Sequence, residues 1–311
     1  MRLGFFLPHI GPWAGPEALS RVATEAEGIG FDSLWVTERS LLPLDPITPY
    51  PLGTLPDVYR RVLDPLDALT FVAAQTSRVA LGQAVINLPW YNPVLLSRRL
   101  ATIDVLSNGR LRVGLGQGWS EDEYLAAGSS WQNRIARFEE SVAVLKMIWT
   151  TDPVEFEGEY HTIPRSWIGP KPIQEPHPPI YLGAFTPAAA ARVGRVADGW
   201  ITVAYPVAAM SEMFESIRAA AAEAGRDPDG LELLVRANVE LFDRPLGDDR
   251  MIFTGTLEQV GADVAATREM GATELMFDAT FDPGVESVAD ILRLMEVLHG
   301  LGKEASPTAP A

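Results

Sequence analysis

The chain has 311 residues, 47% of them hydrophobic, with a formal net charge of −16 and no cysteine. That composition supports a sizeable core in one large domain or two, and it excludes disulfides, thiolate metal sites and a cysteine nucleophile. The acidic balance argues against nucleic-acid or anionic-membrane binding, no apolar run approaches the roughly 20 residues of a membrane span, and Met1–Leu7 reads as a strand rather than a signal peptide, so a cytoplasmic protein is expected.

Leu3–Leu7 is apolar throughout, as expected of a strand buried on both faces. A helix opens at Pro16, carries Leu19, Val22, Ala23, Ala26 and Ile29 on one face, and stops at Gly30. Ser33–Val36 is the second strand, with Thr37-Glu38-Arg39 at its C-terminal end. Leu41–Arg61 is a long loop rich in proline and tyrosine; loops of this length in a compact domain are usually functional or mobile, and this one reads as a wall or lid. Asp64-Pro65 caps a helix running to about Thr76, and Val79–Ile86 is the third strand. Asn92-Pro93 opens the next helix, whose Val94, Leu95, Leu100, Ile103 and Leu106 can share a broad apolar face. Ser107-Asn108-Gly109 stops it, because Asn and Gly accept the left-handed conformation of a helix end. Arg110–Leu115 is the fourth strand, and Gly114, Gly116 and Gly118 stand at its C-terminal end. This stretch is one βαβ unit of a parallel sheet.

Ser120–Gly128 reads as a short helix and Arg134–Trp149 as a longer one; Val154–Ile163, turning at Glu157-Gly158, is a hairpin outside the sheet. The proline-rich Pro164–Pro179 leads to a fifth strand at Tyr181-Leu182, and Thr186-Pro187 caps a helix ending near Ala197. Gly199–Val203 and Leu231–Leu241 are strands six and seven, separated by a helix from Val207 to Ala224. Thr256 and Gln259 have the spacing of a capping box, Glu274–Phe277 is the eighth strand, and Val285–Leu301 is the last helix. Eight strands with intervening helices predict a single-domain (β/α)8 TIM barrel over 1–302, with a long loop after strand two and a hairpin and proline-rich insertion before strand five. A doubly wound open sheet is the rival. Residues 303–311 are expected to form a frayed tail.

A barrel of this kind holds its active site at the C-terminal ends of its strands. Gly114-x-Gly116-x-Gly118 sits there, although its spacing is not the dinucleotide fingerprint and tight strand-to-loop packing would explain it equally well. Glu38 and Arg39 are either a salt-bridged loop anchor or a polar pair aimed into the pocket, Glu38 handling a proton and Arg39 holding an anion or carbonyl. His9 is a candidate catalytic group, against the commoner role of a structural hydrogen-bonder. The four scattered histidines give no metal-ligand spacing, and no GxSxG elbow supports serine hydrolysis. Gly183-Ala184-Phe185-Thr186-Pro187 joins a strand to a helix start, where free amides can bind an anion. Trp90, Tyr91 and Trp119 cluster near the central unit and are candidates to stack on a flat ligand or wall a substrate.

The run LPWYNPVLLSRRLATIDVLSNGRLRVGLGQGW resembles the signature of the luciferase-like flavin and deazaflavin oxidoreductases. SLWVTER, YRRVLDPLDALTFVAAQTSRVALG and PKPIQEPHPPIYLG extend the similarity over most of residues 1–203. Within that superfamily the long YPLGTLPDVYRRVLDPL segment and the acid-Arg pair resemble a branch usually assigned to coenzyme F420. The resemblance implies a (β/α)8 barrel with the cofactor ring at its C-terminal face and a non-prolyl cis peptide at Ala84–Val85. It places Asn87, Gly116, Gln117 and Gly118 beside the ring, and Gly183, Ala184 and Phe185 at the cofactor's phosphate-bearing tail. Trp119 stands where some relatives carry an acid, and Arg39 where many carry histidine. The implied activity is hydride transfer between C5 of F420 and a small organic substrate, in either direction. An FMN-dependent two-component monooxygenase is the alternative, and a catalytically silent flavin-binding barrel a further one. A flavin or F420 reductase would supply reduced cofactor, and a homodimer is the assembly common among relatives.

Overall fold

The computed structural model describes residues 1–51, 53–203 and 205–304. Eight parallel strands run in chain order: β1 (Arg2–Phe6), β2 (Ser33–Val36), β3 (Ala80–Gln83), β4 (Leu111–Gly116), β5 (Ile180–Gly183), β6 (Gly199–Val203), β7 (Glu232–Asn238) and β8 (Glu274–Asp278). Each pairs with the next, and β8 pairs with β1, so the sheet closes on itself. Ser33 carried once round the ring through these pairings returns at the level of position 25. That stagger of eight residues is the shear of an eight-stranded parallel barrel. Closure settles the choice against an open doubly wound sheet.

Helices α1 (Pro16–Ile29), α2 (Pro65–Ala73), α3 (Pro93–Leu106), α4 (Glu121–Ala126), α5 (Arg134–Thr150), α6 (Pro187–Val196), α7 (Val207–Glu223), α8 (Leu257–Glu269) and α9 (Val288–Glu304) fill the connections. Their starts follow the capping chemistry of the sequence. Asp64 accepts from the amides of Leu66 and Asp67, Asn92 from those of Val94 and Leu95, and Thr256 with Gln259 forms a complete capping box. Asn108 and Gly109 take positive φ, 57° and 77°, where α3 hands over to β4.

The barrel interior is organised round Trp35, which lies across it. A Cβ on Gly82 would meet the Trp35 ring at 2.3 Å, and one on Gly4 its Nε1 at 2.9 Å, so the indole occupies the volume those glycines leave. Phe6, Tyr181, Ile201, Leu234 and Met276 complete this inner cluster. Below it, at the N-terminal end, the fully buried Glu274 binds the Arg2 Nε at 3.1 Å, the Trp35 indole at 2.9 Å, and the Ser33 hydroxyl and Arg112 guanidinium.

Several boundaries differ from the expectation. The third strand breaks after Gln83, at a cis Ala84–Val85 peptide, and resumes as Ile86–Asn87 beside Leu115 and Gly116. Leu95 and Leu106 of α3 are each 61% exposed. The buried set is Leu96, Leu100, Ala101 and Ile103, because the face against the barrel starts at Leu96 and recurs at helical spacing. The seventh strand ends at Asn238, and Glu240-Leu241 pairs instead with Thr254-Gly255. The hairpin forms where expected but reaches further, Val154–Glu157 pairing with Thr162–Ser166, so its second strand passes the expected end at Ile163. Lys303 and Glu304 continue α9 rather than fraying, and the rest of the expected tail, 305–311, lies outside the described residues.

Candidate active site

A cleft of ≈ 190 Å³ opens at the C-terminal ends of β3 to β6. One side is Ala84, Val85 and Asn87, where the broken third strand passes Gly116, Gln117, Gly118 and Trp119. The other is Gly183, Phe185 and Thr186 at the head of α6, with Ile201 and Val203 below. The glycines are not equivalent. A Cβ on Gly116 would meet Val85 Cγ2 at 2.5 Å, so that glycine admits the neighbouring strand, and Gly118 has φ +72° in the turn beyond. A Cβ on Gly183 would meet nothing within 4 Å, so its bare face belongs to the cleft.

The chemistry of this lining fits a flat ring with an anionic tail. Branched apolar side chains and bare backbone suit the faces of a planar ligand. The Gln117 Oε1 is buried with no partner among the described residues and is available to a ring N–H. Thr186 caps α6, its hydroxyl accepting from the Ala189 amide at 3.2 Å while its carbonyl accepts from the Ala190 amide at 2.9 Å; Pro187 has no N–H, so Ala188 carries the remaining first-turn amide. Ala184, expected beside the cofactor tail, is buried and absent from the described lining, its carbonyl accepting from the Trp200 indole at 3.2 Å. Phe185 is largely exposed and stacks at a tilt on Tyr205, centroids 6.1 Å apart, at the rim. No lysine or arginine is among the described lining residues, so an anion here relies on backbone amides.

The three residues considered for catalysis do not converge on this cleft. His9 is buried, its Nδ1 donating to the Leu7 carbonyl at 2.8 Å and its Nε2 accepting from the Thr37 amide at 3.0 Å. Burial lowers its pKa below the usual histidine range, so it is a neutral tie between the ends of β1 and β2. Glu38 stands one step behind the lining. Its Oε2 accepts from the Asn87 amide at 2.6 Å and its Oε1 from the Tyr91 hydroxyl. Burial pushes its carboxyl up to about 7, against the opposing pull of those two hydrogen bonds. Tyr91, expected as substrate wall, therefore turns its hydroxyl toward Glu38. Trp90 packs edge-on against Tyr124 at 6.2 Å, next to the Gly118 turn.

Arg39 is not a free cation. Its Nη1 binds Glu123 Oε2 at 2.6 Å, with both side chains buried. The other oxygen of Glu123 takes the Ser40 amide at 2.8 Å and its hydroxyl at 3.0 Å. The guanidinium lies 4.7 Å from the Trp119 ring and 5.4 Å from that of Tyr59, so it fills the space between two aromatics. Glu123 comes from α4, whose Asp122 also accepts from the amides of Ile47 and Thr48 and so clamps the long loop. Sequence reasoning missed both acids. The signal was the Glu121-Asp122-Glu123 run directly after the glycine loop, but its partners lie some eighty residues away. It missed equally the buried Arg236–Asp278 pair on the last two strands, whose guanidinium lies 4.5 Å from the Phe6 ring. Among the described residues no cluster of histidine, aspartate and glutamate is placed to hold a metal ion, and no helix is long and apolar enough to cross a membrane.

A closed (β/α)8 barrel with a cleft at the C-terminal ends of its strands defines the class of protein, a TIM barrel with its candidate site at the mouth. Residues 1–245 match the luciferase-like monooxygenase family, and the chain belongs to it. An uncharacterized protein of Mycobacterium tuberculosis is 32% identical over 90% of this chain and 92% of its own. An F420-dependent glucose-6-phosphate dehydrogenase of Nakamurella multipartita is 33% identical over 72% of this chain and 64% of its own. An FMNH2-dependent dimethylsulfone monooxygenase of Pseudomonas putida is 36% identical over 49% and 42%. Among solved structures, an F420-dependent secondary alcohol dehydrogenase in complex with an F420-acetone adduct shares the fold, with a TM-score of 0.78 over 96% of this chain and 98% of that one at 21% identity.

Proposed function

We propose that the protein is an F420-dependent oxidoreductase acting on a small organic substrate. The observation that carries this reading is the cleft itself: apolar, edged by bare backbone at Gly183, and ending at the N-terminus of α6. The relative named as an F420-dependent dehydrogenase, aligned over 72% of the chain, supports the deazaflavin in particular. When bound, the deazaflavin supplies hydride exchange at C5. The residues supply position and exclusion of water. Val85, Ile201 and Val203 would give the ring apolar walls, Gln117 would offer an acceptor to its polar edge, and the Ala188 amide at the start of α6 would meet the tail. Glu38 fixes the Asn87 backbone through Oε2 and accepts the Tyr91 hydroxyl at Oε1, and its carboxyl, pushed up to about 7 by burial, can take or release a proton near neutrality. Trp119 closes the cleft on the side of the long loop.

The FMNH2-dependent relative supports a second reading, a two-component monooxygenase fed by a flavin reductase. One experiment separates the two. Cofactor-free protein is titrated with F420 and, separately, with FMN, following the fluorescence of each. We expect micromolar or tighter binding of F420 and little of FMN. The reverse preference moves the protein to the oxygen-activating reading, and binding of neither removes both.

A further inference from the structure

A second cavity, ≈ 330 Å³, lies under the long loop after β2, walled by Leu42, Pro43, Leu44, Pro49 and Tyr50 and floored by Trp119. Trp119 alone among the described lining residues belongs to both this cavity and the cofactor cleft. It is therefore the partition between them. Its placement is fixed from behind: Arg39 stacks on it at 4.7 Å, Tyr50 packs at a tilt with centroids 5.5 Å apart, and Glu123 anchors Arg39 at 2.6 Å. The charges near the cavity cancel locally. Asp57 and Arg60, the charged residues of its described lining, pair with each other at 3.2 Å, and Arg39 is taken by Glu123. Among the described lining residues an anionic substrate meets no unpaired cation and loses its hydration with little compensation. An uncharged, apolar one meets proline and leucine surface and an indole face.

We propose that this cavity is the substrate pocket, that it takes an uncharged and largely apolar molecule, and that Arg39 is a positioning residue that holds Trp119 between substrate and ring. The proposal rests on the oxidoreductase reading for its chemistry, but the pocket is tested without the cofactor, so the two fail separately. The full-length protein is titrated with the uncharged probe N-phenyl-1-naphthylamine and with glucose 6-phosphate, the sugar phosphate named for the dehydrogenase relative. We expect micromolar binding of the naphthylamine, millimolar or no binding of the sugar phosphate, and loss of the naphthylamine signal in Trp119→Ala. Equal binding by wild type and Trp119→Ala places the probe elsewhere and overturns the pocket; tighter binding of the sugar phosphate overturns the apolar class. Leu44→Arg is the second variant, on a side chain 88% exposed where folding is not at stake. It adds a cation to the wall and should weaken the naphthylamine and admit the sugar phosphate; an unchanged preference counts against the pocket. For Arg39, Arg39→Met leaves Glu123 unpaired and Trp119 unsupported, so the melting temperature, the probe affinity and the F420 or FMN affinity should all fall, the probe by about tenfold. Arg39→Lys, which keeps the charge toward Glu123 but not the flat stack, should recover only part. A fall in melting temperature and in both affinities together, fully rescued by lysine, would reduce Arg39 to a structural ion pair.

Discussion

Two carboxylates mark the two ends of the barrel, Glu274 buried and Glu38 half-buried, and their partners differ in kind. Glu274, at the N-terminal end, is met by two guanidinium groups, Arg2 and Arg112, and by the Ser33 hydroxyl and Trp35 indole. Glu38, at the mouth, is met only by neutral donors, the Asn87 amide and the Tyr91 hydroxyl. Desolvation acts on both, but only the first is offset by positive charge. The result is a structural plug below and, above, a carboxyl whose proton is exchangeable near neutrality. The same division runs through the glycines. Gly4 and Gly82 make room for Trp35 inside the barrel, whereas Gly183 leaves its space open to the cleft. One end of the barrel spends its chemistry on packing and the other leaves it available, as expected of a fold whose bottom face carries stability and whose top face carries sites.

The largest effect expected from this contrast is at the bottom. Glu274→Gln leaves two part-buried arginines facing an amide, Arg2 keeping Glu232 at 2.7 Å, and should destabilise the protein by about 3 kcal/mol, read as a shift in urea midpoint at pH 7. The same variant, where folded, should bind the cofactor as the wild type does. A loss under about 1 kcal/mol would mean that the plug is no more than a surface-grade ion pair. At the mouth the effect is smaller and depends on pH. The folded Glu38 carboxyl sits near 7, above its ordinary 4.5, so the folded state holds this proton more tightly than the unfolded one. Its contribution is complete below about 4.5 and is lost as pH rises through about 7. Subtracting the Glu38→Gln profile from that of the wild type should leave a decline of roughly 1–3 kcal/mol across that window. Parallel profiles would erase the difference between the two carboxylates.

How far the sequence reached follows the same line. The barrel was legible because local chemistry repeats: Asn92-Pro93, Thr186-Pro187 and the Thr256–Gln259 box start their helices where the residues say they should. Strands two and six were legible to the residue, being short apolar runs between punctuating loops. The cleft lining was reached through the glycines and the resemblance, which report backbone shape. What failed was the partnership of side chains across the fold. Nothing local to Arg39 announces Glu123, and nothing near Arg236 announces Asp278. His9 takes the commoner of its two expected roles, a structural hydrogen-bonder, whereas Tyr91, expected at the substrate wall, is turned to Glu38, because a sequence does not show which carboxylate will stand opposite. Leu95 and Leu106 were misassigned for the converse reason, since hydrophobicity marks a candidate for burial and only the docking angle of α3 decides which face is taken.

The smallest change sharpens the comparison most. Gly183 does not have a positive φ, and a methyl added to it meets no atom within 4 Å, so Gly183→Ala should fold with a stability within about 0.5 kcal/mol of the wild type. The methyl would stand in the cleft at the foot of α6, where a ligand's tail must come close to backbone. Cofactor affinity should fall about tenfold, some 1.4 kcal/mol. Gly116→Ala is the paired control. There the added methyl strikes Val85 at 2.5 Å, so the cost should fall on stability as well as on binding. If Gly183→Ala leaves the affinity of both F420 and FMN unchanged, the tail does not lie against the end of β5, and the cleft would hold a ring without an anchored phosphate. If instead it lowers stability as Gly116→Ala does, the open face of Gly183 is filled in the folded protein and is not part of the site.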